Sequence, residues 1–392
     1  MGGLQDGEAG AGGAANVDEL SAAFERLYGR APDGVWAAPG RVNIIGEHTD
    51  YNEGLVLPIA IDRRALAAVA ARDDGMVRVA SRQRQGDPVV RELSDLGPGR
   101  VRGWAAYPLG VAWSLADRHG VSQGADILID SNVPLGAGLS SSAALEAAVG
   151  LALADVAGRD IPRDALALAC QRAENEVVGA PTGVMDQMAS LLGRAGSALF
   201  LDCRSLQTEQ VPFDLQAAGL ALLVIDTRAS HDLADGEYGD RRAACEEAAR
   251  RIGVPALRDA TLESVQNLSE PLRRRARHVV TEIDRVQHAV RLLRRGDVAG
   301  LGPLLTASHA SLRDDFEVSI PELDVAAATA VEAGALGARM VGGGFGGSVL
   351  ALVPAGDVDA VTAAVEAAYE LRGWASPLPF VVTPAEGARR LR

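Results

Sequence analysis

The sequence predicts a globular protein of two domains, each built from both helices and strands. Its 392 residues are too many for one ordinary hydrophobic core. Hydrophobic residues make up 48% of the chain and charged residues 23%, which is typical of a protein that buries a sizeable core. Apolar segments with the periods of helices and of strands occur in both halves, and we place the domain boundary near residue 216.

The elements of the first half follow from apolar periodicity and from glycine and proline breaks. Residues 1–15, "MGGLQDGEAGAGGAA", are rich in glycine and alanine, and we expect a flexible tail. The N-terminal domain, 16–215, then starts with a helix over 17–29, followed by strands within 54–72 that are broken at Pro58 and a strand over 76–81. A helix over 104–120 precedes the segment 124–158, which contains a strand, a glycine-rich loop and a long helix. The domain ends with a helix over 165–178 and a turn that opens into a helix within 179–193.

The C-terminal domain, 216–392, starts with a buried strand, "LALLVID", over 220–226. Helices are predicted across 241–253 and 277–296, where apolar residues recur at helical spacing. Near the end, "ARMVGGGFGGSVLALV" places a cluster of glycines directly before a strand. Such a cluster brings the backbone close to another group, because glycine has no side chain to prevent the contact.

Composition excludes several classes of function. The formal charge is −14, from 52 acidic and 38 basic residues, which argues against nucleic acid or an anionic membrane as the partner. All the basic residues are arginine, so a Walker-type phosphate loop and a pyridoxal-phosphate Schiff base, which both need lysine, are excluded. Three widely spaced cysteines suggest no structural zinc. Without a signal peptide or a membrane segment, we expect a cytoplasmic protein, and we expect a monomer.

A loop that suits phosphate, "PLGAGLSSSAALE", occupies residues 134–146. It combines glycines, three serines and the start of a helix, whose first backbone N–H groups are unpaired and form an anion site. The Rossmann pattern fails because Ser141 replaces its third glycine. A serine-hydrolase elbow needs GxSxG, and after Gly138 the loop offers Leu139, Ser140 and Ser141. An ordinary serine-capped helix remains the alternative for the loop taken alone.

A second polar stretch, "GRVNIIGEHTDYNEG", covers residues 40–54 and contains Arg41, Glu47, His48 and Asp50. Carboxylates accept hydrogen bonds from sugar hydroxyls, and an imidazole can donate or accept. A convergent group of this kind suits a ligand with several hydroxyls. Taken singly, Arg41 is better explained by a surface ion pair and His48 by a structural histidine, but together with two carboxylates they favour a binding site.

These motifs resemble those of a known family. The loop at 134–146 resembles the ATP-binding motif of the GHMP kinases, and "GGGFGGSVLALV" at 342–353 resembles their C-terminal glycine motif, which supports the phosphate loop. The stretch at 40–54 resembles the signature of the galactokinase family within that superfamily. The resemblance covers almost all of residues 17–392. It implies the two-domain α+β GHMP kinase fold, with the active site in the cleft between the domains.

The resemblance also implies how ATP and Mg²⁺ are bound. ATP is the phosphate donor, and Mg²⁺ is held by Ser142 and Glu174. For Glu174 alone, a solvated helix position is the ordinary explanation. Ser81 resembles a nucleotide contact by its spacing, and Trp104 and Tyr107 are expected near the adenine, although an exposed serine and two core aromatics explain these residues equally well. The residues expected to bind the nucleotide are Ser81, Gly136, Ala137, Gly138, Leu139, Ser140, Ser141 and Ser142.

The same resemblance implies the sugar site and the reaction. Asp186 is expected to take the proton of the sugar hydroxyl, although an Asp at a helix start is often only a cap. Arg41 is expected beside Asp186 and the transferring phosphate, where a fixed cation offsets negative charge. The residues expected to bind the sugar are Glu47, His48, Thr49, Asp50, Gly183 and Tyr238.

The resulting prediction is a kinase that converts ATP and α-D-galactose to ADP and galactose 1-phosphate. The signature alone leaves open a kinase for a related sugar, namely N-acetylgalactosamine, galacturonate or arabinose. A catalytically silent sensor of galactose and ATP is a further alternative, which the intact serine loop and Asp186 argue against. We expect galactose and ATP as partners, and neither nucleic acid nor a membrane.

Overall fold

The computed structural model describes residues 16–230 and 234–392 of the chain. The tail predicted at residues 1–15 lies outside these residues. Helix α1, Val17–Tyr28, shows how local sequence sets the elements. The side chain of Asn16 accepts hydrogen bonds from the backbone N–H groups of Asp18 and Glu19. The helix ends at Gly29, which takes the left-handed conformation with φ of 74°.

The remaining helices of the described residues flank the sheets. They are α2 Ala106–His119, α3 Ser141–Val156, α4 Arg163–Arg172, α5 Met185–Leu192, α6 Ala234–Ile252, α7 Leu262–Gln266, α8 Leu272–Leu293, α9 Leu301–Ser311, α10 Pro321–Glu332 and α11 Val358–Glu370. Two of them continue into π-helical turns: α4 into Ala173–Val178 and α9 into Leu312–Phe316. No described helix is long and apolar enough to cross a membrane.

The strands of the described residues form three sheets. They are β1 Gly34–Asn43, β2 Leu55–Val56, β3 Pro58–Arg72, β4 Met76–Ser81, β5 Val89–Glu92, β6 Gly124–Ser131, β7 Ser197–Asp202, β8 Thr208–Pro212, β9 Leu220–Ser230, β10 Gly337–Val341, β11 Gly346–Pro354, β12 Leu378–Val382 and β13 Arg389–Arg390. The sheet orders are β13-β1-β3-β6-β4-β5, β10-β11-β9-β12 and β2-β7-β8.

The six-stranded sheet forms the centre of the first half. Its pairings are antiparallel except for β4 with β6, and the long strand β3 pairs with both β1 and β6. All ten residues of β1 are buried, because α3 packs on one face of the sheet and α1 packs on the other. Leu20 and Phe24 of α1 fill the second face. The end of β1 is therefore held firmly, and the polar stretch at 40–54 starts from it.

The four-stranded antiparallel sheet forms the centre of the second half, with α9, α10 and α11 packed against it. One hydrophobic core joins this half to the segment after β1, since Ile44 and Ile45 belong to the same buried cluster as Val286 and Val290 of α8. The last strand, β13, returns to pair with β1 of the first sheet. The domain boundary near residue 216 stays a prediction.

Candidate active site

An arginine and a carboxylate form the centre of the site. Arg41 lies near the end of β1 and is 5% exposed, while Asp186 lies in the first turn of α5. The guanidinium is bidentate: Nε donates to Asp186 Oδ1 at 2.7 Å and Nη2 donates to Oδ2 at 2.8 Å. Nη1 donates to the backbone carbonyl of Gly138 at 2.6 Å. Asp186 therefore accepts from a side chain and is not a simple helix cap.

The loop at 134–146 lies directly beside this pair. Ser140 has a left-handed backbone, with φ of 54°, and its hydroxyl donates to Asp186 Oδ2 instead of capping α3. Helix α3 begins at Ser141, so the N–H groups of its first turn have no partner within the helix. These N–H groups and the positive end of the helix form an anion site next to the carboxylate.

The two glycine motifs are in contact. A Cβ on Gly138 would lie 2.8 Å from the carbonyl oxygen of Val341, and a Cβ on Gly342 would lie 3.1 Å from the Cα of Gly138. The hydroxyl of Ser348 donates to the carbonyl of Ala137 at 2.7 Å, across 211 positions of chain. Glycine is needed here because the two backbones pass too closely for side chains. The C-terminal glycine motif thus supports the loop that we expect to hold phosphate.

The exposure of each residue in that loop shows whether its side chain or only its backbone can contact a ligand. Ala137 and Leu139 are each 1% exposed, and both pack in the hydrophobic core. They can offer a ligand only their backbone N–H groups. Gly136 is exposed, and Ser141 and Ser142 are half-buried at the head of α3.

The stretch after β1 forms a tight turn. His48 has φ of 63°, in the left-handed region, and Asn52 donates through Nδ2 to its carbonyl at 2.8 Å. Thr49 is fully buried, and its hydroxyl donates to the carbonyls of Gly46 at 2.9 Å and Leu55 at 2.7 Å. The hydroxyl of Thr49 is thus used to close the turn, and the role of Thr49 in binding the sugar stays a prediction.

Residues from the second half hold this turn in place. Arg339, fully buried in β10, donates through Nη1 to the carbonyls of Asn43 at 2.8 Å and Ile44 at 3.1 Å. In α8, His278 Nε2 lies 3.1 Å from the carbonyl of Glu47, and Glu282 Oε1 accepts from the N–H of Gly46 at 3.0 Å.

These three supports were not predicted from the sequence. The signal was present, because His278 and Glu282 are polar residues four apart on the apolar face of α8. Arg339 is likewise the one charged residue in the buried five-residue strand β10. Buried charges of this kind need a partner or a task.

Five of the six predicted sugar residues, all except Thr49, line one cavity of about 120 Å³. Gly342 and Gly343 of the glycine motif also border it. The other predicted site residues that line it are Arg41, Glu47, His48, Asp50, Gly183, Asp186 and Tyr238.

Burial alters the acid–base chemistry of the cavity. Burial, followed by the negative charge of Asp186, raises the pKa of Asp50 to about 7. Burial also lowers the pKa of His48 well below its usual range, so the imidazole is neutral. Its Nδ1 pairs with the hydroxyl of Tyr51 at 2.9 Å, while Nε2 is buried with no partner among the described residues. An unpaired Nε2 in a residue that lines the cavity suits a ligand hydroxyl.

The predicted metal ligands also lie together. Glu174 sits in the π-helical turn that follows α4 and is 5% exposed, so the explanation as a solvated helix residue is wrong. Burial raises its pKa, and hydrogen bonds from Thr182, Gln187 and Ser142 oppose that rise. A hydroxyl and a carboxylate are the hard oxygen ligands that suit Mg²⁺. The described residues contain no set of three acidic, His or Cys side chains that could hold a metal alone, and Mg²⁺ bound with nucleotide needs few protein ligands.

A larger cavity of about 380 Å³ adjoins the sugar cavity and shares Thr182, Tyr238 and Gly343 with it. Tyr107 lines this second cavity. Ser81 borders neither cavity; it ends β4, and its hydroxyl bonds to Gln83 Oε1 at 3.1 Å. The role of Ser81 as a nucleotide contact stays a prediction.

Comparison with known proteins identifies the family. Residues 22–71 match the family model of the galactokinase galactose-binding signature. Residues 106–194 match the N-terminal domain of GHMP kinases, and 289–371 match their C-terminal domain. A galactokinase of Streptomyces coelicolor is 53% identical over 94% of this chain and 97% of its own length. The chain belongs to the galactokinase family. A galactokinase of Mycobacterium tuberculosis is 44% identical over 91% of this chain and 99% of its own length.

Solved structures agree with this membership. Galactokinase of Lactococcus lactis, in complex with galactose, matches with a TM-score of 0.90 and 33% identity, over 95% of this chain and 99% of its own. Mevalonate kinase of Methanococcus jannaschii matches with a TM-score of 0.65 at 16% identity, which shows a common fold alone. The predicted galactokinase family and the two-domain α+β GHMP kinase fold are confirmed.

Proposed function

We propose that the protein transfers the γ-phosphoryl group of ATP to the anomeric hydroxyl of α-D-galactose and releases ADP and galactose 1-phosphate. One observation carries this proposal. The bidentate Arg41–Asp186 pair faces a cavity lined by hydroxyl-binding groups and lies against the phosphate loop. A kinase needs its base, its acceptor site and its phosphate site within bonding distance of one another.

The cavity suits a sugar because its polar groups are fixed before the ligand enters. Glu47 is held through Oε1 by the N–H of Gly342 at 2.8 Å, so its carboxylate cannot turn away. His48 is fixed by Tyr51, and Asp50 by the N–H of Tyr51 at 2.9 Å. A site that bonds several hydroxyls rejects an epimer strongly, because a misplaced hydroxyl leaves buried polar groups unpaired. The relatives called galactokinase support galactose as the epimer accepted.

In the proposed step, Asp186 accepts the proton of the anomeric hydroxyl. The sugar oxygen forms a bond to the γ-phosphorus as the bond from that phosphorus to the β–γ bridging oxygen breaks, and ADP leaves with the bond electrons. Each Asp186 oxygen can accept more than one hydrogen bond, so the bonds to Arg41 and Ser140 leave capacity for the sugar. Arg41 keeps a positive charge beside the carboxylate and the transferring phosphate, which stabilises the transition state.

Ser142 and Glu174 would hold Mg²⁺ together with phosphate oxygens. Bound there, Mg²⁺ supplies positive charge that offsets the negative charge of the triphosphate. The first-turn N–H groups of α3, from Ser141 onward, bind phosphate oxygens in the same region. The cavity that Tyr107 lines is the space that we assign to the nucleotide. We further propose a cytoplasmic, monomeric enzyme that binds neither nucleic acid nor a membrane.

Release of ADP tests this function across galactose, glucose, N-acetylgalactosamine, galacturonate and arabinose, each with Mg²⁺-ATP. Turnover on galactose and none on glucose is expected, since glucose presents one hydroxyl of the opposite configuration. Turnover on another sugar of the panel but not on galactose would keep the mechanism and reject the substrate. Binding of galactose without turnover on any sugar would make the protein a sensor and reject the kinase.

A further inference from the structure

A fully buried polar cluster lies behind the predicted metal site. It consists of Glu146, Glu174 and Gln187, and Glu146 and Gln187 are both 0% exposed. Gln187 follows Asp186 in α5, and Glu146 lies one helical turn after Ser142 in α3. Burying two carboxylates and one carboxamide in an apolar interior costs stability. Their presence therefore indicates a task. None of the reaction steps described above uses Gln187 or Glu146.

The carboxamide of Gln187 bridges the two carboxylates. Its Nε2 donates to Glu146 Oε2 at 3.0 Å and to Glu174 Oε2 at 2.9 Å. Both N–H bonds of the amide are therefore used, and the two acceptors determine which way the amide faces. Glu146 Oε1 and Gln187 Oε1 have no partner among the described residues, so the cluster is not arranged to satisfy every polar atom.

Thr182 and Gln187 donate to the same oxygen of Glu174. Thr182 Oγ1 donates to Oε2 at 2.7 Å, and Gln187 Nε2 donates to that same atom. Neither of them bonds Oε1. Two bonds on one oxygen thus fix the plane of the carboxylate, and neither of these two donors occupies Oε1. Ser142, the second predicted metal ligand, also makes a hydrogen bond to this carboxylate.

We infer that Gln187 is a positioning residue that orients Glu174 for the metal and is itself held by Glu146. The inference rests on the proposed role of Ser142 and Glu174 as the metal ligands. Outer groups that orient a metal-binding carboxylate set its affinity, and their loss costs about 10–100-fold in metal affinity. Because Gln187 adjoins Asp186 on α5, the same short helix fixes the base and the metal carboxylate relative to each other.

The test measures metal binding apart from turnover. Binding of Mn²⁺ to the protein with the non-hydrolysable ATP analogue AMP-PNP is followed by the electron paramagnetic resonance of free Mn²⁺. The affinity for AMP-PNP in EDTA is measured separately. Gln187→Met removes both N–H donors at nearly equal side-chain length. Gln210→Met is the control, because Gln210 also donates through its side-chain amide, in a partly buried position, to the carbonyl of Leu192 at 2.8 Å, at the opposite end of α5.

We expect Gln187→Met to weaken Mn²⁺ binding about 10-fold or more and to leave AMP-PNP affinity in EDTA unchanged. Equal Mn²⁺ affinity in Gln187→Met and Gln210→Met would overturn the inference. If Gln187→Met does not fold, Gln187→Asn decides. It keeps an amide but is one methylene shorter, so it cannot reach both carboxylates, and an unchanged Mn²⁺ affinity in it would again overturn the inference.

Glu174→Gln separates this inference from the proposed function. If Glu174→Gln binds Mn²⁺ as the wild type does, the proposed ligand set is wrong and the inference fails with it. If Glu174→Gln loses Mn²⁺ while Gln187→Met keeps it, the ligand set stands and the positioning role of Gln187 alone is rejected.

Discussion

The carboxylate of Glu47 accepts a hydrogen bond from the backbone N–H of Gly342 at 2.8 Å, although 295 positions of chain separate them. This bond joins the turn after β1 to the C-terminal glycine motif. Gly342 in turn touches Gly138 of the phosphate loop. The sugar cavity and the phosphate loop therefore share one support, and a change to this support affects both.

Substitution of Arg339 tests how strongly the second half of the protein stabilises the turn that follows β1. Its guanidinium Nη2 lies 3.2 Å from Glu47 Oε1 with both side chains buried, and Nη1 serves two carbonyls of the turn. Arg339→Leu leaves the Glu47 carboxylate buried without its cation, which costs about 3–5 kcal/mol for pairs of this kind. We expect the free energy of unfolding in urea to fall by that amount.

Arg313→Leu is the control for this prediction. Arg313 pairs with Asp314 on the surface, both side chains being about half exposed, and an exposed pair contributes about 0–1 kcal/mol. If both variants unfold at nearly the same urea concentration as the wild type, the buried pair does not stabilise the turn.

Asp186→Asn tests the base. The amide keeps the shape of the side chain but accepts protons poorly, so the turnover number should fall by about 10²–10⁴-fold, the usual contribution of a general base. Affinity for ATP should change little, since the phosphate loop keeps its backbone groups. Asp164→Asn is a matched control, because Asp164 occupies the same second position of a helix, in α4, but is exposed. A fully active Asp186→Asn variant would exclude the base assignment.

Gly183→Ala tests the predicted sugar contact of Asp50. A Cβ on Gly183 would lie 2.0 Å from Asp50 Oδ2, closer than any allowed contact, so the carboxylate must move. We expect the KM for galactose to rise at least about tenfold, because a shift of this size breaks hydrogen bonds to a bound ligand. The affinity for ATP should change much less.

Gly356→Ala provides the comparison for Gly183→Ala, since nothing lies within 4 Å of a Cβ at Gly356. An unaltered KM for galactose in Gly183→Ala would mean that Asp50 does not contact the sugar. Loss of ATP affinity together with galactose affinity would instead indicate general damage to the site.

The local motifs made the family and most elements predictable from sequence. Helix α1, predicted over 17–29, runs Val17–Tyr28, and the strand predicted over 220–226 runs Leu220–Ser230. The helix predicted over 165–178 instead changes to a π-helical turn at Ala173, because periodicity alone does not separate α from π geometry. Strand β1 was missed, since it is buried on both faces and shows no alternation.

The long-range contacts of the site could not be predicted in the same way. Glu47, His48 and Asp50 could be grouped from the sequence because they are adjacent in one motif, and all three line the same cavity, while their contacts with the sugar stay predictions. The same motif led to the same prediction for Thr49, whose hydroxyl is used by nearby carbonyls, and only the backbone path reveals this. Gln187 and Arg339 depend on partners more than ten positions away in sequence, which no local pattern specifies.

Asp50 gives a pH-dependent prediction whose sign follows from its raised pKa. The pKa is about 7 in the folded protein, against an ordinary value of 3.8, mainly because of burial and then because of the charge of Asp186. Between these two values the folded state holds a proton that the unfolded state releases, so the free energy of unfolding falls as pH rises from about 4 to about 7. Asp50→Asn cannot ionise, so we expect it to be about as stable as the wild type at pH 4, modestly more stable at pH 5 and most clearly more stable at pH 8.

Urea unfolding at pH 5 and pH 8 checks this prediction, with Asp164→Asn as an exposed control that should not change the difference between the two pH values. The same Asp50→Asn variant should bind galactose more weakly, because the amide has one acceptor oxygen where the carboxylate has two, and its NH₂ group only donates. If Asp50→Asn is more stable than the wild type at pH 8 and binds galactose more weakly, the charge of Asp50 destabilises the folded protein but is needed for ligand binding. If Asp50→Asn and the wild type are equally stable at each pH value, Asp50 is already ionised at little cost in the folded protein. The cavity would then contain more water than its buried lining residues indicate.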